Sequence, residues 1–276
     1  MELSRDTSYL QEDQVAASWP TFVASFADWL RTLTHAAVDF VYPPTCPFCG
    51  REAQQSRRSE TFDLELCLPC RDQIAPQLVH VCYRCGAPVG PHLDTTGGCV
   101  HCHRDRFHFD CVFCLGVYDD ALKTACLRAK KSDGQPLASA VAGLLWERQQ
   151  HSLEAAQIDL VVAVPRHWTR RLWMEPNAAE TLAEALARRL QVEFGMHILA
   201  KVCRTPPQSK LRPYRRRSNL RRAFRVRQPD ALKGATVLLV DDILTTGTTA
   251  NEISRALRKS GADRVIVAVP ARGIGR

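Results

Sequence analysis

Apolar residues along this chain fall into two rhythms. "DLVVAVP" at 159–165, "TVLLVDD" at 236–242 and "RVIVAVP" at 264–270 are nearly unbroken apolar runs of strand length. Such runs predict strands buried on both faces, the habit of parallel sheets. "CVFCLGVY" at 111–118 predicts a further strand. Leu137 to Trp146 carries the helical period, as does Asn177 to Leu190, with Leu182, Leu186 and Leu190 at i, i+4 and i+8. Another helix is expected after residue 249, through Ile253 and Leu257. Strands alternating with helices predict an α/β domain over residues 105–276, a parallel sheet with helices on both faces.

The preceding residues follow other rules. Residues 1–42 predict an amphipathic helix, with Phe22, Phe26, Trp29, Leu30, Leu33, Ala37 and Phe40 on one stripe. Its polar face is not strongly basic, so the stripe reads as packing on the chain and not as a membrane anchor. The start mixes acids and polar residues without the pattern of a secretory signal, and no apolar run reaches spanning length. A cytoplasmic location is expected. Residues 43–104 lack periodicity and hold eight cysteines, which predicts a small loop-rich module that needs a staple.

Composition sharpens this picture in two places. The chain has 276 residues and a net charge of +8, which favours anionic partners such as phosphates or nucleic acid. It has 12 cysteines, which in a reducing compartment read as metal ligands before disulfides. Four pairs have CxxC spacing: Cys46/Cys49, Cys67/Cys70, Cys82/Cys85 and Cys99/Cys102. One such turn places two thiolates beside a metal, and two complete a tetrahedron. Two structural Zn²⁺ sites follow, with sequential or interleaved pairing both open. Gly50 and Gly86 close two of the turns, where a positive φ lets backbone amides face the sulfurs. "CVHCH" at 99–103 also fits c-type haem attachment, but that chemistry belongs outside the cytosol and the other pairs lack the histidine. Cys111 and Cys114 sit inside a strand pattern, where residues three apart face opposite ways. They are expected to be buried hydrophobes, as are Cys126 and Cys203.

The candidate chemistry lies in "VLLVDDILTTGTT", Val237 to Thr249. A parallel strand presents its functional groups at its carboxyl end, where open α/β sheets bind ligands. Asp241 and Asp242 are expected there as exposed acids suited to vicinal hydroxyls or a Mg²⁺ ion. Thr245, Thr246, Gly247, Thr248 and Thr249 would open a helix whose free amides, hydroxyls and partial positive charge cradle a phosphate monoester. Hydroxyls at one end and phosphate at the other describe a ribose 5-phosphate. No lysine follows the glycine as a Walker loop requires.

Those residues resemble the PRPP-binding motif of type I phosphoribosyltransferases, and the wider chain resembles the ComF family across residues 40–270. "CPFCG", "YRCGAP", "VAVPRHWTRRL" and "RTPPQSKLRPYRRRSNLRRAF" carry the family likeness, the last at Thr205, Gln208, Arg216, Asn219 and Phe224. The resemblance implies a cysteine-rich zinc module joined to a phosphoribosyltransferase domain that uses PRPP and Mg²⁺. It also implies a link to natural competence and partners among competence-machinery proteins. Asp241 and Asp242 would then be catalytic, and Arg166, Arg170 and Arg171 would face the pyrophosphate. One segment departs from the family pattern Arg-Gly-Phe-Asn-Gln. Met174 to Ala178 keeps only Asn177, loses the basic residue and gains Glu175.

From Arg204 to Arg227 there are ten basic residues and no acidic one, with Tyr214 and Phe224 among them. Arg215, Arg216, Arg217, Arg221 and Arg222 are candidates for binding single-stranded DNA through phosphate contacts and stacking. The same stretch would serve as a lid over a bound pyrophosphate. Two functional readings follow: an enzyme that transfers a phosphoribosyl group, or a single-strand-binding protein with PRPP or a nucleotide as regulatory ligand.

Overall fold

The computed structural model describes residues 45–52, 66–76, 80–166, 177–203, 220 and 223–274. The expected helix in residues 1–42 lies outside them. So do Arg170, Arg171, Met174 to Pro176 and Arg215, Arg216, Arg217, Arg221 and Arg222. Residues Thr45–Arg276 form one compact unit, so the cysteine module and the α/β domain share a core.

The described helices are α1 (Leu68–Ile74), α2 (Asp120–Ala129), α3 (Gln135–Ala155), α4 (Ala178–Leu190) and α5 (Thr248–Lys259). The strands are β1 (Cys111–Val117), β2 (Leu160–Ala163), β3 (Glu193–Phe194), β4 (Leu199–Lys201), β5 (Phe224–Val226), β6 (Thr236–Val240), β7 (Ile243–Leu244) and β8 (Arg264–Arg272). The main sheet runs β1-β8-β6-β2-β3 with β7 also on β8, all parallel. β4 and β5 form a separate antiparallel pair.

The apolar runs become the central strands for the expected reason. In β6, Leu238 and Val240 face one core with α2, α3 and α4, while Val237 and Leu239 face another with α5. Ile266 and Ala268 in β8 share the first core, and Val265, Val267 and Val269 the second. Helices therefore cover both faces, as the apolar pattern predicts. Cys111 falls in the first core and Cys114 in the second, so residues three apart do face opposite ways. Cys126 is buried as expected. Cys203 is not: it is exposed, just beyond β4, where no described element covers it.

Local boundaries differ from the sequence expectation by a few residues. The helix expected at 137–146 runs on to Ala155, through a polar turn, because Leu153 finds a fully buried seat in the first core. β8 extends two residues past Pro270 and closes against β1. β6 stops at Val240, leaving both aspartates outside it.

Candidate functional site

The end of β6 is shaped by the strand beside it. Val240 pairs with Ala268 and Ile243 with Ala271, so the register is kept across Asp241 and Asp242. The amide of Asp241 still donates to Ala268 O at 3.1 Å. The next donor in a parallel ladder would be the amide of residue 270, and Pro270 has none. The pairing lapses there and resumes at β7. The two acids thus sit at a fixed gap in the ladder, at the carboxyl edge of the sheet.

The acids are half-buried and partnered, not exposed as expected. Asp242 N–H donates to Asp241 Oδ1 at 2.9 Å, and Asp242 Oδ2 meets Lys130 Nζ at 2.9 Å. Burial, then the charge of Asp242, pushes the Asp241 carboxyl up to about 8, against the opposing pull of the Asp242 amide and Lys130. Burial works against the Lys130 charge, but the carboxylate of Asp242 outweighs it and holds the ammonium above its ordinary value. Lys130, the C-cap of α2, is a functional candidate that sequence reasoning missed. It lies in a lysine pair with no periodic signature, and only its fold places it on the acids.

Beyond β7 the chain turns into α5 through Gly247, whose φ of 70° lies in the left-handed region. Gly247 is also the N-cap, and it has no side chain with which to cap the helix. The side-chain contact made by a first-turn amide is long, from Thr248 N to Thr246 Oγ1 at 3.5 Å, which leaves these amides available to a ligand. Thr246 Oγ1 and Thr248 Oγ1 lie 2.8 Å apart. A small recess of ≈ 30 Å³ is lined by Asp241, Ile243, Leu244 and every residue from Thr245 to Ala250. The first acid and the threonine loop therefore line one recess, with Asp242 adjoining it. Arg166 lies two residues past Val164, whose amide donates to Val240 O at 2.9 Å, so it stands on the same edge. Asn177 joins this edge, donating from Nδ2 to Val164 O at 3.3 Å.

The loop rests on the linker that leaves the cysteine module. Phe107 and Phe109 stack with centroids 4.4 Å apart, and a Cβ on Gly247 would lie 3.4 Å from Phe107 and 3.6 Å from Phe109. His108 N donates to Asn251 Oδ1 at 2.6 Å, and Arg258 pairs with Asp110 at 2.6 Å. These contacts pin the linker to α5.

The eight module cysteines fall into two clusters with sequential pairing: Cys46, Cys49, Cys67 and Cys70, then Cys82, Cys85, Cys99 and Cys102. In each cluster the four sulfurs lie within 4.8 Å of one another. Sulfur separations include 3.7 Å for Cys49–Cys67, 3.8 Å for Cys82–Cys102 and 3.6 Å for Cys85–Cys99. A tetrahedron with Zn–S arms of about 2.3 Å has edges of about 3.8 Å, so the donors fit Zn²⁺. They are far too distant for disulfides, whose S–S bonds are about 2.05 Å. Cys99 and Cys102 turn into the second cluster, which answers the haem pattern at 99–103.

The two leading turns share one geometry. Thr45 bridges Glu52 and Val81 bridges Pro88, and each encloses a CxxC. Gly50 (φ 74°) and Gly86 (φ 69°) then donate to Cys46 O and Cys82 O at 2.8 and 2.7 Å. Burial pushes the Cys70 and Cys85 thiols up, so ionising all four needs a cation in their midst. The first cluster packs on α2 and α3, where Arg71 pairs with Glu147 and Arg128 donates to Pro47 O at 3.2 Å. The second packs on β1, with Tyr83 O accepting from Val112 N at 3.1 Å and Gly86 O from Cys114 Sγ at 3.2 Å.

Two outcomes are expected. Purified protein carries two Zn²⁺ per chain by metal analysis, and Cys49→Ser or Cys99→Ser each lowers this to one. The second concerns Asp241. Below about pH 4 both folded and unfolded carboxyls hold their proton. As pH rises toward about 8 only the unfolded one ionises, so the group destabilises the fold increasingly. Asp241→Asn should therefore stabilise the ligand-free chain, by more at pH 8 than at pH 5, in urea titrations at each pH.

Both parts of the chain are similar to known proteins. Residues 132–276 match the family described as a phosphoribosyl transferase domain, and residues 37–104 match the double zinc ribbon domain. The chain is 29% identical to the DNA utilization protein YhgH of Salmonella typhi over 207 residues, covering 73% of this chain and 88% of that one. It is 29% identical to Competence protein F of Haemophilus influenzae over 206 residues, with the same coverage. Among solved structures, glutamine phosphoribosylpyrophosphate amidotransferase from B. subtilis shares 23% identity, with a TM-score of 0.33. The likeness covers 50% of this chain and only 27% of that enzyme. With a phosphoribosyl transferase domain over more than half its length and a double zinc ribbon before it, the chain belongs to the ComF family.

Proposed function

We propose that the chain binds PRPP with Mg²⁺ at the recess between Asp241 and Ala250 and acts as a phosphoribosyltransferase serving DNA uptake or nucleotide metabolism. The observation that carries this reading is the shared recess: the Asp241 carboxyl and a helix N-terminus without a side-chain cap line it together, separated by one short strand, with Asp242 beside Asp241 in the chain. The loop Thr245–Thr249 would take the 5-phosphate through its amides and hydroxyls. Asp241 and Asp242 would take the ribose hydroxyls and stabilise positive charge at the sugar carbon as pyrophosphate leaves. Mg²⁺, a hard cation with oxygen ligands, would neutralise pyrophosphate and carboxylates together. Lys130 holds the Asp242 charge when no ligand is bound, so ligand and lysine compete for that carboxylate. Arg166, at the same edge of the sheet, would face the pyrophosphate, and so would Arg170 and Arg171, which follow it in sequence. Twelve cysteines outside any disulfide, eight of them in the two metal-ligating clusters, accord with a cytoplasmic setting.

A second activity has its own support. The basic stretch from Arg204 to Arg227 is suited to single-stranded DNA, and the relatives bear the names DNA utilization protein and Competence protein F. Binding through Arg215, Arg216, Arg217, Arg221 and Arg222 would coexist with the phosphoribosyl site.

Calorimetry with PRPP and Mg²⁺ tests the site. Wild type should bind, and Asp242→Asn should bind tenfold or more weakly, a loss of about 1.4 kcal/mol. Equal affinities would remove the assigned role. Oligonucleotide affinity should fall steeply with salt, with a log–log slope of about −0.7 per phosphate contact. A flat response would contradict the second activity.

A further inference from the structure

Arg272 ends β8 with only 6% of its surface exposed. Its described hydrogen bonds all end on backbone carbonyls. Nε donates to Cys85 O at 2.8 Å, inside the second cysteine cluster. Nη1 donates to Leu244 O at 3.1 Å and to the carbonyls of Thr245 and Gly273. One guanidinium therefore joins a metal-binding turn to the first residue of the threonine loop. A buried cation held by carbonyl dipoles gains from nearby anions. A zinc tetrathiolate, with a net double negative charge, would lie on one side and a sugar phosphate on the other.

A second connection reaches the same loop from below. Arg84, within the Cys82–Cys85 turn, sits 6.0 Å over the Phe107 ring and donates to Gly97 O at 2.8 Å and Asp105 O at 3.0 Å. Phe107 is the ring against which Gly247 closes. The first cluster has neither connection among the described residues; it meets α2 and α3 instead.

We propose that Arg272 is a positioning residue that makes the shape of loop 245–249 conditional on metal at the second four-cysteine site. The proposal rests on reading that loop as the phosphate cradle. If metal there orders the loop and phosphate prefers the ordered loop, the two binding events reinforce each other. The lysine side chain keeps the charge of arginine but cannot span both carbonyl groups with a planar fork.

Hydrogen exchange on the full zinc-loaded chain tests this, with β6 amides (Val237–Val240) as the standard for the fold. In Arg272→Lys with two Zn²⁺ per chain, amides from Leu244 to Thr249 should exchange at least tenfold faster while β6 is unchanged. Cys99→Ser should give the same pattern, and Cys49→Ser should leave the loop as in wild type. Loop exchange that stays at the wild-type rate, or rises only in step with β6, overturns the proposal. Ribose 5-phosphate titration keeps the two readings apart. A wild-type chain that fails to bind it removes the functional reading and leaves the loop comparison standing. Equal affinity in wild type and Arg272→Lys overturns the positioning role alone; a loss of about tenfold or more is expected.

Discussion

The missing amide of Pro270 is the constraint on which the site depends. β6 and β8 run side by side in register, and an unbroken ladder would carry Asp241 and Asp242 into the sheet as ordinary strand residues. Proline removes the one donor that Asp241 O would meet. The chain is released for two residues and recaptured at β7, so the acids are loose in pairing yet fixed in place. Burial and their tight spacing explain the raised Asp241 carboxyl, and Lys130 is the counter-charge that lets the pair exist without ligand.

The second constraint is the turn at Gly247. Its left-handed backbone and the two phenylalanines beneath it allow the helix to start without a side-chain cap. Uncapped amides are a cost in an isolated helix and an asset at an anion site. The linker leaving the zinc ribbon supplies the floor of that turn through Phe107, and the ribbon's Cys85 carbonyl holds Arg272, which also reaches the carbonyl of Thr245. The cysteine module is therefore part of the architecture of the site, and the shared compact unit from Thr45 onward agrees with that.

Much of this is legible in the sequence because burial on two faces leaves a plain mark. The runs at 160–163, 236–240 and 264–269 are strands in the sheet, and the two sulfur clusters follow from CxxC spacing once pairing is sequential. The acid pair and the threonine loop are visible as a motif, and the structure brings Asp241 and the loop to one recess, with Asp242 next to it in the chain. Other features carry no local signal. Lys130 reaches Asp242 and Arg272 reaches Cys85 only because β8 sits between β1 and β6, a strand order that periodicity does not encode. Cys203 resembles the buried cysteines in composition alone; it lacks the flanking apolar pattern that places Cys111 and Cys114. The partial burial of the acids is silent in sequence for the same reason, since the neighbours that cover them are distant along the chain.

The most direct test is a crystal structure of the chain grown with ribose 5-phosphate and Mg²⁺. The account predicts phosphate oxygens on the amides of residues 246–249 and sugar hydroxyls on Asp241 and Asp242, with Lys130 displaced from Asp242. A sugar phosphate bound at another place, with this recess empty and the Lys130–Asp242 pair intact, would contradict it.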